Sequence, residues 1–437
     1  MGEEKIPQEG GYRELLRVSY PLILSTASST VMQFVNRVFL AHYSPDALAA
    51  CVPGGMLSFT FLCFFMGTAS YTNAFVSQYH GKGKTASVSV AMWQGILLAL
   101  AASLLLVALT PAGLYIIDHS GHPAAVRALE RPYFTILNLF AVLPVANTSL
   151  AAFFIGRGRT KTTLGVNLAG NAFCVLASWL LIFGAGPLPP GGIAGAAWAS
   201  VLSQGLMTAL YCSLIFSAAN RRRYRTLRLA GAHGDMFARL VKYGAPNGVG
   251  FFLDVASFGV FIFLVGGMDE ASLAANNIIA SINSIAFMPI IGLGLATLTL
   301  VGKYIGMGKP DVSVGVVYRA VRLALCYALL IGASFAFFPG LYINIFGSGD
   351  AAAYADILAK SRPVMRVLAV FVLFDAVGMV FADALRGAGD TRFQMLGASA
   401  AAWGLFVPGT WYIVHRAGGE LIHAWAWGLV YVMLLAL

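Results

Sequence analysis

Apolar residues fall along this chain in twelve runs, at roughly 20–42, 51–77, 87–109, 133–155, 162–184, 193–217, 246–267, 272–300, 314–338, 364–385, 393–414 and 420–437. A run of about 20 such residues crosses the hydrocarbon core of a bilayer as a helix. The runs are continuous, whereas a membrane barrel needs ~10-residue strands of alternating polarity. Backbone hydrogen bonding inside lipid then leaves helices as the spanning element. Polar positions collect in short turns and in one longer basic stretch, 219–242. The pattern predicts an all-α membrane protein of 12 transmembrane helices in two pseudo-symmetric six-helix lobes, 1–218 and 243–437, joined by that stretch as a cytoplasmic linker.

Composition agrees: 59% of residues are hydrophobic and 11% charged, against roughly 25% charged in a soluble domain. The net charge of +10 would suit nucleic acid, but its distribution suits a membrane instead. Of the 28 Lys and Arg, 21 fall in the turns and flanks on one side of the spans and six on the other, with Arg37 inside the first span. The positive-inside rule then puts both termini in the cytoplasm, with the inner membrane of a bacterium as the expected location. The densest run, Arg221-Arg222-Arg223-Tyr224-Arg225 with Arg228, lies on the inside. Residues 1–19 lack the apolar stretch and cleavage site of a signal peptide, so the first span is expected to direct insertion. The chain stops abruptly in VYVMLLAL, leaving room for a cytoplasmic tail beyond it. The five cysteines lie in or beside apolar spans without CxxC spacing and read as small core residues.

The two halves repeat. A shift of 225 residues places Pro21 on Pro246, Leu48-Ala49-Ala50 on Leu273-Ala274-Ala275, and Gly81, Gly83 and Lys84 on Gly306, Gly308 and Lys309. A shift of 231 places Gly156-Arg-Gly158-Arg-Thr160-Lys161 on Gly387-Ala-Gly389-Asp-Thr391-Arg392. Six spans per half give both halves the same sense, the parallel kind of transporter repeat. Two such lobes with a cleft between them imply alternating access.

These motifs resemble the multidrug and toxic compound extrusion family, of the wider multidrug, oligosaccharidyl-lipid and polysaccharide exporter superfamily. The likeness rests on the Pro-containing first and seventh spans followed by Leu-Ala-Ala, the GKGK and GMGK turns, the GRGRTK and LRGAGDTR turns, and Gly195-Ala196-Ala197-Trp198-Ala199. It implies an antiporter, not an enzyme, that exports amphipathic, often cationic compounds in exchange for sodium ions or protons. The implied partners are those small molecules and membrane lipid, with no nucleic acid and no ATPase subunit, and the protein is expected to be a monomer. No cofactor is implied beyond the driving ion. By position, the family's cation-site acids of the seventh and tenth spans are Asp254 and Asp375, which would also hold the metal if sodium drives transport. Many members carry another acid near the end of the first span, facing polar residues of the fifth. Here that position is Asn36, with Asn167 and Asn171 opposite. An amide cannot carry a coupling proton, which moves the weight of coupling to the C-terminal pair.

The residues themselves single out Asp254, the one acid in the run 246–267. A charge at mid-membrane costs about 2.5–3.5 kcal/mol on insertion scales, so it faces a partner, a cavity or an ion. Asp254 lies ~12 Å past Pro246 and Asp375 ~16 Å from the inner end of its span, at 1.5 Å per residue, so facing helices can bring them together. Two carboxylates out of water repel one another and accept a proton or a cation. Asn276, Asn277 and Ser257 are candidate oxygen ligands. The bland alternative is a structural hydrogen bond or ion pair for each acid. Asp383 is three residues before Arg386, a surface-pair spacing, with a vestibule role second. Arg37 can snorkel to the interface or partner an acid. Asn167 and Asn171 share a helix face and can stack toward the first span, as structural glue or as substrate contact. Phe251, Phe252, Phe287, Met288 and Met379 are candidates to line the cleft. His119 and His122 read as solvated residues of an outer turn.

Several rivals stay in view. A lipid-linked oligosaccharide flippase of the same superfamily needs a broad cationic groove, and the only spanning base is Arg37. A membrane-embedded lipid-modifying enzyme needs a catalytic set, and the chain offers no nucleophile–base constellation or metal spacing. A channel fits poorly with paired lobes and buried carboxylates. Gly81-Lys-Gly-Lys-Thr85 mimics a phosphate loop, but Gln78 stands where the first glycine belongs and the segment joins two membrane helices.

Overall fold

The computed structural model describes residues 9–184, 189–227, 234–346 and 351–436, and every regular element among them is helical. These are α1 (Tyr12–Tyr43), α2 (Pro45–Ser70), α3 (Thr72–Gly81), α4 (Thr85–Asp118), α5 (Ala124–Leu139), α6 (Val142–Ile155), α7 (Thr160–Phe183), α8 (Gly192–Ile215), α9 (Ala218–Tyr224) and α10 (Gly234–Gly266). They continue with α11 (Glu270–Gly306), α12 (Pro310–Phe337), α13 (Pro339–Ile343), a 3-10 turn at Asn344–Phe346, and α14 (Ala351–Ala388). Last come α15 (Thr391–Ala401), a π-helical turn at Ala402–Phe406, α16 (Val407–His415) and α17 (Leu421–Ala436).

Eight helical passages are long and apolar enough to cross a membrane singly, among them α2 and α3 running on through Tyr71. The α5–α6 pair, bent by 42°, makes a ninth. Three more passages complete the twelve. Helix α1 is less apolar because of its hydroxyl run Ser25-Thr26-Ala27-Ser28-Ser29-Thr30, the α15–α16 passage is interrupted by the π turn, and α17 has 16 residues. The chain is a multi-pass membrane protein.

Several helices overshoot the hydrocarbon core. Helix α14 has 38 residues, or ~57 Å at 1.5 Å per residue, and α10 begins at Gly234 rather than at Pro246. The reading of Pro246 as a helix start is corrected: it lies inside α10, where it removes one i→i−4 hydrogen bond. The stretch before it stays helical because α2 and α3 hold it. Asn247 Nδ2 donates to the Gly67 carbonyl at 2.6 Å and to Ser70 Oγ at 3.1 Å, and Tyr243 stacks on Tyr71.

The helices gather into two compact units. One takes the chain up to Ile23, Gly250–Val301 and Lys309 onward; the other takes Leu24–Val249 and Gly302–Gly308. Of the three cuts through long helices, those in α1 and α10 fall just past repeat-matched prolines, Pro21 and Pro246, and the third lies near the end of α11.

The repeated turns now have a physical reason. Gly83 and Gly308, and likewise Gly158 and Gly389, adopt positive φ (70° and 73°, 73° and 105°), which a side chain would strain. Gly81 and Gly306 serve close approach: a Cβ at Gly81 would strike the Lys303 carbonyl, and one at Gly306 the Gln78 carbonyl. Gln78 and Lys303 are themselves repeat equivalents, so the two turns meet reciprocally. Elsewhere in the same unit, polar side chains tie the passages together. Asn138 donates to Leu106 O and Thr110 Oγ1, and Asn147 to Gln204 Oε1 at 2.7 Å.

Two smaller readings are corrected. His122 is not simply solvated: its Nδ1 lies 2.8 Å from the buried Glu130 carboxylate, in the second turn of α5. Cys326 is exposed on α12 rather than in a core, whereas Cys63 and Cys174 are buried.

Candidate functional site

The acids of α10 and α14 lie within electrostatic range of one another. Both are half-buried in the same unit, and Asp375 lies in the electrostatic field of the Asp254 carboxylate. Tyr431 of α17 lies in the field of both. The site therefore draws on three helices, of which the sequence reading named two. The ends of α10 and α14 do not set this depth, since Asp254 is 20 residues into α10; side-to-side packing does.

Tyr431 is placed by the π turn. Its ring stacks on Phe406 at 4.9 Å, Phe406 stacks on Phe261 of α10 at 5.3 Å, and Phe261 meets Trp425 of α17 edge-on at 5.6 Å. The extra residue of a π turn rotates the side chains beyond it, and here Trp403 Nε1 donates to the carbonyl of Leu253, the residue before Asp254, at 3.3 Å. A single sequence gives no signal for the π turn. The aromatic spacing of α17, Trp425, Trp427 and Tyr431, was the one trace of Tyr431.

The neighbours sort into distinct jobs. Asp383 is buried and bonds Arg386 at 3.2 Å, the local i,i+3 pair. A Cβ at Gly294 would strike Asp383 Oδ2, so α11 closes over the carboxylate. Arg386 is the cation whose charge reaches Asp254. As cation ligands, the three oxygen candidates are not drawn to the acids. Asn276 is buried with its oxygen accepting from Trp425 Nε1 at 3.0 Å, and the unpaired part of its amide is a donor. Asn277 points to an exposed face of α11, 100° round the helix from Asn276. The Ser257 hydroxyl is spent on the backbone carbonyl of Asp254 at 2.9 Å. The remaining donor set, two carboxylates and a phenol, is hard oxygen, suited to a proton or a hard cation rather than a soft metal.

The MatE family model matches two stretches of the chain, residues 21–180 and 246–412. The chain belongs to the MatE family. The two matches begin at Pro21 and Pro246, the same 225-residue register as the internal repeat. A probable multidrug resistance protein NorM of Burkholderia pseudomallei is 28% identical over 417 residues, covering 94% of this chain and 88% of the relative. One of Thermotoga maritima is 24% identical over 433 residues, covering 97% and 89%. Among solved structures, an outward-facing multidrug resistance MATE family transporter of the MOP superfamily superposes with a TM-score of 0.87 at 17% identity, covering 97% and 93%. A MOP superfamily transporter from Pyrococcus furiosus, whose binding pocket of reverse polarity suggests a different function, superposes at 0.84 and 18% identity, with the same coverage. The twelve-helix fold is thus shared across proteins whose pockets differ.

In the first MatE repeat the corresponding region is built from amides and hydroxyls. Asn167 Nδ2 donates to Ser25 Oγ at 2.5 Å and its oxygen accepts from Tyr211 at 3.0 Å. Asn171 Nδ2 donates to Ser28 Oγ at 2.5 Å and Ser29 Oγ at 3.3 Å. The expected stack of three amides is corrected at Asn36, which reaches Met32 Sδ at 3.3 Å and Cys174 Sγ at 3.6 Å instead. It sits about two helical turns beyond Ser29 on α1, too far along to join the other two. The partners that the sequence reading missed are Ser25, Ser28, Ser29 and Tyr211; the hydroxyl run 25–30 was the available signal. Arg37 is exposed near the C-terminal end of α1.

Proposed function

We propose that this MatE chain is a secondary active antiporter that exports amphipathic, often cationic compounds in exchange for Na+ or H+ by alternating access. Asp254 and Asp375 bind the driving ion, and ion and drug occupy the negative site in turn. The observation that carries the reading is that two intramembrane carboxylates, from α10 and α14, lie within electrostatic range of one another and of Tyr431. Such a pair is stable when a cation or a proton offsets its repulsion. The names of the relatives, multidrug resistance proteins, support the substrate class. The protein works as a monomer without an ATPase subunit or a cofactor, in a bacterial inner membrane with both termini cytoplasmic, the orientation favoured by its basic turns.

The test is reconstitution of the full chain into liposomes with separate sodium and proton gradients and a fluorescent cationic dye. Dye moves uphill under at least one gradient. Dye movement under neither contradicts the reading.

A further inference from the structure

We propose that residues 218–227 form a fixed cationic platform that takes the phosphate headgroups of anionic lipids in the leaflet at the inner end of α8. The assignment is independent of which compound or ion the protein moves. Only Phe216 and Ser217 separate α8 from α9, so the stretch lies at the end of a membrane pass.

It is held there by Asn220, Tyr224 and Thr226. Asn220 and Tyr224 are four apart, hence on one face of α9, and both are buried. Asn220 Nδ2 donates to Leu214 O at 2.8 Å, and its oxygen accepts from Arg157 Nη1 at 3.1 Å. The Tyr224 ring packs edge-on against Phe153, and the Arg157 guanidinium lies 4.5 Å from its centroid. Thr226 Oγ1 donates to Ile215 O, and its carbonyl accepts from Trp93 Nε1 at 3.0 Å.

With that face pinned, Arg221, Arg222, Arg223 and Arg225 are all exposed, and none forms an ion pair among the described residues. Arg225 is the one non-glycine residue among those described with positive φ, 54°, a conformation that persists where the surroundings impose it. Behind the fan, burial and then the charges of Arg159 and Arg223 push the Arg157 guanidinium down to about 10, against a hydrogen bond and charge from Tyr224 that raise it. Positive charge is therefore concentrated here, and among the described residues no acid pairs with these arginines.

Membrane orientation by positive charge requires a count of bases, not a rigid array of them. A rigid array of guanidinium forks is what paired hydrogen bonds to phosphate oxygens use. Leu214 and Leu227, 39% and 54% exposed, flank the arginines and supply the apolar side chains of an interfacial segment. A free phosphate has no use for these; a lipid does.

The experiment titrates the delipidated full chain in detergent with phosphatidylglycerol and with phosphatidylcholine, counting bound lipid by native mass spectrometry. The wild type prefers phosphatidylglycerol by at least about tenfold, and 1 M salt abolishes the preference. The combined variant Arg221→Gln, Arg222→Gln, Arg223→Gln, Arg225→Gln loses it while its Tm is kept. Tyr224→Leu keeps every charge but frees the anchor, and weakens the preference several-fold. Equal binding of the two lipids, an unchanged preference in the combined variant or at 1 M salt, or displacement of the lipid by millimolar inorganic phosphate overturns the proposal. Wild-type preference in Tyr224→Leu overturns the fixed platform.

Discussion

Two regions of this molecule occupy equivalent places in its repeat and carry opposite chemistry. In the second repeat, Asp254 of α10 lies within electrostatic range of Asp375 of α14, and Tyr431 of α17 within range of both. In the first, the residue 225 positions before Asp254 is Ser29 of α1, which accepts a hydrogen bond from Asn171. Shifts of 225 and 231 carry Asp375 back onto Leu150 and Pro144, neither of which ionises. In the first region the amides of α7 donate to hydroxyls of α1, all neutral partners. The second sets two carboxylates close enough to feel one another's charge. Duplication supplied one scaffold twice; a few side chains set the different chemistry of each copy.

The largest effect should come from removing that charge. Asp254→Asn and Asp375→Asn, singly, are expected to reduce gradient-driven dye efflux in proteoliposomes by about two orders of magnitude, the scale of the ~2.5–3.5 kcal/mol attached to an intramembrane charge. Normal driven efflux in both would erase the distinction between the regions. Moving the acid is the next test. Ser29→Asp placed in the Asp254→Asn background should leave efflux at the level of Asp254→Asn alone, because no second carboxylate stands opposite in the first repeat. Recovery of driven efflux there would make the two regions interchangeable.

Much of this was legible beforehand, and the illegible part has a common cause. Hydropathy gave the twelve passages because lipid imposes a length on each. The turn glycines gave the repeat because positive φ and backbone contact leave glycine little competition at Gly83, Gly308, Gly81 and Gly306. Asp254 stood out by its cost in lipid. What stayed hidden were partners across helices: Tyr431, brought in through Phe406 of the π turn, and the serines of α1 that take the amides of α7. Periodicity fixes the face of a helix but not the azimuth of its neighbour. The helix ends were misread at α10 for a related reason: the segment before Pro246 is held by Gly67, Ser70 and Tyr71, which are distant in sequence.

Smaller effects sharpen the structural side of the comparison. Asn171→Ala removes two inter-helix hydrogen bonds, each worth about 0.6 kcal/mol on average in membranes. It should lower the unfolding temperature by the equivalent of about 1 kcal/mol and leave the ratio of driven to downhill efflux unchanged. The smallest concerns the turn before α11, where Lys360 bonds Asp269 at 2.6 Å and Ser272 donates to it twice. The Lys360 hydrogen bond, then those of Ser272, hold the Asp269 carboxyl down to about 2. A depressed folded pKa stabilises above the ordinary carboxylate range, and the gain is lost as pH falls through about 2. At this exposed site it is worth less than about 1 kcal/mol. Asp269→Asn should therefore unfold slightly earlier than wild type at pH 7, with the gap shrinking as pH falls from about 4 toward 2.

The central claim is that the driving ion and the exported compound share the carboxylates of α10 and α14. It is tested most directly by adding a cationic dye to the purified protein and measuring release of bound radioactive sodium and of protons in parallel. Wild type and Asn171→Ala should release the ion alike on dye binding, and Asp254→Asn and Asp375→Asn should release none. Ion release that persists in both acid variants, or that vanishes in Asn171→Ala while the protein remains folded, would contradict the account.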